Sequence, residues 1–149
     1  MATLLFSTNN DLVREWQQNF APRSFVCAEM QALKDELEKN QNSIVIADYD
    51  TMFLEINEML SAGFEISKLV VLEKVPSIVT GKKLISLKIK AYGNSRMQRL
   101  HFLQLMESVE NGDTWTYPEL TAALLKVDRR KKLSDDAIEL MQSRLTPKE

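Results

Sequence analysis

The chain is predicted to fold as an α/β protein, a doubly wound five-stranded parallel sheet with helices on both faces. Three observations point there. Short apolar runs of strand length alternate with amphipathic helical stretches through residues 3–110, and that alternation with short loops is the mark of parallel crossover units. Two of the runs, Ile44-Val45-Ile46-Ala47 and Leu69-Val70-Val71-Leu72, contain no polar residue, as suits strands covered on both faces. Both end on a carboxylate, Asp48 and Glu73, where a strand leaves the sheet and where open α/β sheets bind their ligands.

Thr3 to Ser7 reads as the first strand, followed by Asn9, Asn10 and Asp11 as capping side chains for a helix that lines up Leu12, Val13, Trp16 and Phe20 on one face. Pro22 ends that helix, and Ser24 to Ala28 forms a second strand. Met30, Leu33 and Leu37, set among acids and lysines, make the second amphipathic helix. Asn40-Gln41-Asn42 turns the chain into the buried third strand. Met52, Phe53, Ile56, Met59 and Leu60 form the stripe of a third helix, closed by Gly63 as its C-terminal cap. Lys68 to Glu73 is the fourth strand. Ile78, Val79, Leu84 and Ile85 give a fourth helix, short because Gly81 interrupts it. Lys90-Ala91-Tyr92 reads as a brief edge strand, and Asn94 or Ser95 caps a long helix from Arg96 to Glu110. That helix carries Phe102, Leu105, Met106 and Val109 on one side and Leu100 and Leu103 beside them. The arc is wider than one core contact needs; the core accounts for it first, a dimer surface second.

With 149 residues the chain holds one well-cored domain and a short appendage. A hydrophobic share of 44% and a charged share of 27% are those of a water-soluble globular protein. No apolar run reaches the roughly 20 residues of a membrane span, and the N-terminus has no basic leader, so a cytoplasmic location is expected. A net charge of −2 excludes a strongly cationic nucleic-acid binder. The single Cys27 lies among Phe25, Val26 and Ala28 and reads as a buried structural thiol. Only four glycines occur, none in a phosphate-binding loop, so a nucleotide fold of the glycine-fingerprint kind is not supported. Asp48 by its chemistry supports two readings equally: a site carboxylate in the sheet crevice, or the cap of the helix that follows.

Several stretches together resemble the receiver domain of bacterial two-component response regulators, in the subgroup joined to a LuxR/NarL-type helix-turn-helix. They are the first strand running into Asn10-Asp11-Leu12-Val13-Arg14, then Ile44 to Asp48, Leu69 to Leu72, Lys90 to Tyr92, and Ser108 to Leu120, in which a Gly turn precedes Tyr117-Pro118-Glu119-Leu120. The last is the most specific, and the resemblance covers about residues 3–126. It implies the flavodoxin-like, CheY-like receiver fold. It also implies a histidine kinase as partner, an aspartate at the end of the third strand that accepts its phosphoryl group, and a magnesium ion held by two further carboxylates. Asp48 matches the acceptor.

The remaining pocket departs from the pattern. Thr8 and Asn9 stand where the resemblance places the acidic pair, Glu73 replaces the hydroxyl residue after the fourth strand, and Ser95 replaces the lysine after the switch aromatic, matched by Tyr92. Neutral oxygens without charge hold magnesium weakly, and a phosphoryl group facing Glu73 is repelled. The expectation is therefore an atypical, degenerate receiver that acts in signal input or dimerisation, has no catalytic residue or resident cofactor, and does not run the ordinary magnesium-dependent cycle. Asp48 and Asp50 would persist in capping or charge networks, or Asp48 would share a proton or cation with Glu73; Tyr92 is alternatively a half-buried edge aromatic. Two other readings stand beside this one: a conventional acceptor that binds magnesium, and a stand-alone interaction domain.

Residues 127–149 form the expected appendage. The basic cluster Arg129-Arg130-Lys131-Lys132 reads as a solvated linker. Ser134 caps a helix bearing Ile138, Met141 and Leu145, and Thr146-Pro147-Lys148-Glu149 is a second capping box with no helix behind it. These residues resemble the opening of a LuxR-type DNA-binding domain cut just inside its first helix, through which alone DNA would be a partner.

Overall fold

A computed structural model describes residues 2–126. Five strands alternate with five helices and a short sixth strand follows: β1 Thr3–Phe6, α1 Asn10–Asn19, β2 Ser24–Cys27, α2 Met30–Lys39, β3 Ile44–Asp48, α3 Tyr49–Ser61, β4 Leu69–Glu73, α4 Ile78–Ser86, β5 Ala91–Asn94, α5 Arg99–Glu110 and β6 Trp115–Thr116. All the strand pairs are parallel, in the order β2-β1-β3-β4-β5-β6. The class expected from the sequence is therefore the one found, with six strands in place of five. Sheet and helices form one compact unit ending at Tyr117; residues 118–126 are helical and open a second unit. The linker cluster, the helix around Ile138 and the capping box at Thr146 lie outside the described residues.

The unbroken apolar runs sit in the middle of the sheet, and Ile44, Val45, Ile46, Ala47, Val70, Val71 and Leu72 have no solvent-accessible surface. Side chains alternate across a strand, so each run feeds two cores. Leu5, Ile44, Ile46, Val70 and Leu72 share one core with Leu12, Val13 and Trp16 of α1 and with Phe102, Leu105 and Val109 of α5. Phe20 stacks on Phe102 with ring centroids 4.1 Å apart and clamps the two helices together. α2, α3 and α4 cover the other face.

Where the chain stops each element is also chemical. Asn9 caps α1, its side chain accepting from the Leu12 N–H at 3.2 Å. Gly63 closes α3 in the left-handed region (φ 74°), with its own N–H on the Leu60 carbonyl and the Phe64 N–H on that of Met59, the glycine-dependent C-cap expected from the sequence. α4 is short, nine residues containing the buried Gly81.

Strand ends shift by a residue or two from expectation, and three larger features differ, each for a local reason. Trp115 and Thr116, both β-forming residue types, pair with Ala91 and Tyr92, so β5 is an interior strand. Gly93 permits this approach, since a Cβ there would lie 2.9 Å from the Trp115 ring. Tyr92 is consequently buried completely and is not a half-buried edge aromatic. Finally, α5 begins at Arg99, not Arg96. Asn94 and Ser95 are engaged in the strand exit: the Asn94 side chain accepts from the Arg96 N–H at 2.7 Å and the Ser95 N–H donates to the Glu73 carbonyl at 3.0 Å. On α5 the second apolar side stays exposed, Leu100 at 61% and Leu103 at 45%, so the core explains only the first.

Candidate functional site

β1 and β3 are neighbours, and their crossovers leave in opposite directions, to β2 on one side and β4 on the other. Such a switch point opens a crevice at the carboxyl ends of the strands. Here it has a volume of about 210 Å³ and is lined by Asn9, Leu12, Asp48, Asp50, Lys74, Ser95 and Arg96.

Asp48 closes β3 and is fully buried. Its carboxylate is held by three donors of the chain itself. Oδ2 accepts from the Ser7 hydroxyl at 2.8 Å and from the Thr51 hydroxyl at 2.8 Å, and Oδ1 accepts from the Asp50 N–H at 3.2 Å as the N-cap of α3. Both readings of Asp48 thus coincide in position, and the capping one is the one whose bonds are made. The two hydroxyls are also tied down. Ser7 Oγ accepts from the Asn9 N–H at 3.0 Å, and Thr51 Oγ1 accepts from the Thr8 N–H at 3.2 Å. Thr8 therefore contributes its backbone and Asn9 its cap, while the neutral side chain against the acid is Ser7, one residue earlier than the sequence suggested.

Asp50 is exposed and accepts from the Lys74 N–H at 2.8 Å, which fastens the start of α3 to the end of β4. Lys74 and Arg96 bring positive charge to the crevice rim; Arg96 also pairs with Glu15 at 3.6 Å. Asp11 pairs with Arg14 at 3.6 Å on the surface of α1, away from the crevice lining. Ser95 is buried, and its carbonyl accepts the Trp16 indole N–H at 2.8 Å.

Glu73 does not share a proton with Asp48. Its carboxylate accepts from the Tyr92 hydroxyl, and that hydroxyl accepts from the Ser77 N–H at 2.9 Å. Burial pushes the Glu73 carboxyl above the usual carboxylate range, the Asp50 charge adds to the rise, and the Tyr92 bond opposes it. Burial also pushes the Tyr92 phenol upward, reinforced by Glu73 and opposed by the Ser77 N–H. For Glu73 the stabilising contribution is complete below its unfolded pKa and is lost as pH rises through the raised folded value. The same sign holds for Tyr92 at alkaline pH, where its contribution begins to fall above about pH 10. Urea midpoints followed from about pH 9 to 11 are expected to drop less steeply in Tyr92→Phe than in the unaltered chain; identical slopes would refute the assignment.

Magnesium fits the crevice poorly. A hard dication needs several oxygen ligands with charge, whereas the lining offers two carboxylates, one of them already accepting three hydrogen bonds from hydroxyl and amide donors. Among the described residues no three His, Cys, Asp or Glu side chains converge as a metal site, and no helix is long and apolar enough to cross a membrane. Burial, with the Glu36 charge adding, raises the Cys27 thiol above its ordinary value, as expected of a structural cysteine.

The sequence singled out Asp48, Asp50, Asn9 and Ser95, which the fold brings to one crevice, and Glu73 and Tyr92, which it pairs beside it. Ser7, Thr51 and Lys74 were missed. Only a hydroxyl three residues beyond the acid, at helical spacing from a cap, pointed to Thr51. Fold and crevice define a doubly wound parallel α/β protein with a buried, hydrogen-bonded acid at its switch point. No protein-family model matches the chain, and no curated protein matches it.

Proposed function

We propose that this chain is an atypical receiver-type signal-input module, on a flavodoxin-like, CheY-like fold, in which Asp48 is a structural acid and not a phosphoacceptor. The observation that carries the reading is the hydrogen bonding of the Asp48 carboxylate by Ser7, Thr51 and the Asp50 N–H. In the resemblance the neighbours of this aspartate are acids that recruit magnesium; here they are hydroxyls that donate to it. Strand order supports the fold assignment, since β2-β1-β3-β4-β5 is the order of the flavodoxin-like class and Asp48 stands at its switch point. The module has no catalytic residue, requires no cofactor, and acts by presenting a surface to a regulatory partner or to a second copy of itself. A role in transcription rests on the resemblance over residues 108–120 and 145–149 alone.

One observation favours the conventional alternative: Lys74 and Arg96 bring to the crevice the positive charge that Ser95 lacks. Magnesium separates the two readings. Calorimetric titration of the chain with magnesium chloride is expected to show no saturable binding at millimolar metal, and a saturable isotherm that Asp48→Asn abolishes would support the conventional acceptor instead.

A further inference from the structure

We propose that Glu73 is an internal tether that fixes the first turn of α4 through Tyr92, making this turn a separately releasable element of the fold. The inference goes beyond the receiver reading and does not need it, because it stands on contacts outside the Asp48 cluster.

Three elements meet at one phenolic oxygen. The Tyr92 ring comes from β5 and is fully buried, so its hydroxyl can reach only what the protein supplies. It donates to the Glu73 carboxylate at the end of β4 and accepts from the Ser77 N–H at 2.9 Å. Ser77 is the N-cap of α4, and its own hydroxyl accepts from the Thr80 N–H at 3.1 Å while donating to the Thr80 hydroxyl at 2.8 Å. A line of hydrogen bonds thus runs from an acid on β4 through a core tyrosine to the start of a helix.

The tether is needed because little else holds this turn. Val75 is 76% exposed and Val79 81%, and Ile78 is 40% exposed. The buried side of α4 consists of Gly81, which has no side chain, and Leu84 near the other end. Helical stability in proteins comes chiefly from burying one face; a first turn that buries almost nothing depends on its cap. Segments with few buried contacts and a small number of securing bonds open locally below the global unfolding free energy.

Glu73 is suited to holding and to releasing. A carboxylate accepting from a phenol makes a charge-assisted bond, stronger than a neutral one. The groups facing it are Tyr92 from β5 and Asp50 from α3, with Lys74 following it in the chain, whose N–H Asp50 holds. It is half-buried, within reach of solvent and of a partner's cationic side chain. Loss of the Glu73 bond frees Tyr92, and with it Ser77, so that the exposed apolar turn of Val75, Ile78 and Val79 changes its presentation while the sheet stays intact.

Amide hydrogen exchange of the full chain tests this. In Tyr92→Phe, which keeps the ring in the core, protection of amides 77–81 is expected to fall about tenfold, with α1 and α5 unchanged. Glu73→Ala is expected to give the same local loss, Glu73→Gln, which retains an acceptor, a smaller one, and the Tyr92→Phe/Glu73→Ala pair no more than either alone. Unchanged exchange at 77–81 in Tyr92→Phe, an equal rise in α1 and α5, or additive effects of the pair would each overturn the proposal. Whether Asp48 accepts a phosphoryl group does not affect any of these outcomes.

Discussion

Asp48→Ala is expected to lower the unfolding free energy by about 3 kcal/mol. The substitution removes the N-cap of α3 and leaves the Ser7 and Thr51 hydroxyls and the Asp50 N–H without their shared acceptor. A lost cap costs about 1 kcal/mol and an unsatisfied buried polar group about 1–3 kcal/mol; the hydroxyls can rotate to other partners, so the sum falls toward the lower end. Asp48→Asn should cost less, about 1 kcal/mol, because the amide oxygen still takes the Asp50 N–H and hydroxyl oxygens can accept from the amide nitrogen. Urea unfolding measures both. The sign is informative as well as the size. An acid crowded with other acids for the sake of chemistry destabilises its own fold, and neutralising it stabilises the protein. An acid satisfied by hydroxyls is the opposite case, and a stabilising Asp48→Ala would contradict the bonding described above.

Trp16→Ala is expected to cost about 4 kcal/mol. Trp16 is 1% exposed, fills the core between α1, α5 and the sheet, and donates its indole N–H to the Ser95 carbonyl at 2.8 Å. Most of the loss is the cavity left by the ring. Trp16→Phe separates the parts: it retains much of the volume and orphans the carbonyl, for an expected cost of about 1–2 kcal/mol. Because Ser95 lines the crevice and its N–H holds the Glu73 carbonyl, Trp16 also fixes the wall of the candidate site from behind. Thermal and urea denaturation of the two variants check the ranking, and a cost for Trp16→Phe equal to that of Trp16→Ala would place the energy in the hydrogen bond and not in the packing.

The fold was legible where the signal is local and long enough to repeat. Ile44 to Ala47 and Leu69 to Leu72 announce buried strands because no polar residue interrupts them, and Gly63 announces a helix end because a left-handed residue is needed there. β6 was not legible: two residues have no period, and the Trp115 ring packs against Gly93, 22 positions earlier in sequence, a contact that no local pattern announces. The site divides the same way. Asp48 could be read as the end of a strand. Its partners could not, since Ser7 comes from 41 positions away along the chain and nothing in a single serine marks it as a donor to an acid. Glu73 was readable as a departure from a resemblance and not as the partner of Tyr92, because that pairing depends on the β4–β5 register, which sets Glu73 beside Asn94 and Tyr92 beside Val71.

Incubation of the chain with acetyl phosphate and magnesium, followed by intact mass measurement, tests the role of Asp48 most directly. With its oxygens engaged by Ser7, Thr51 and the Asp50 N–H, the protein is predicted to keep its mass, in the unaltered chain and in Asp48→Asn alike. A phosphoryl adduct on the unaltered chain that disappears in Asp48→Asn would contradict the account.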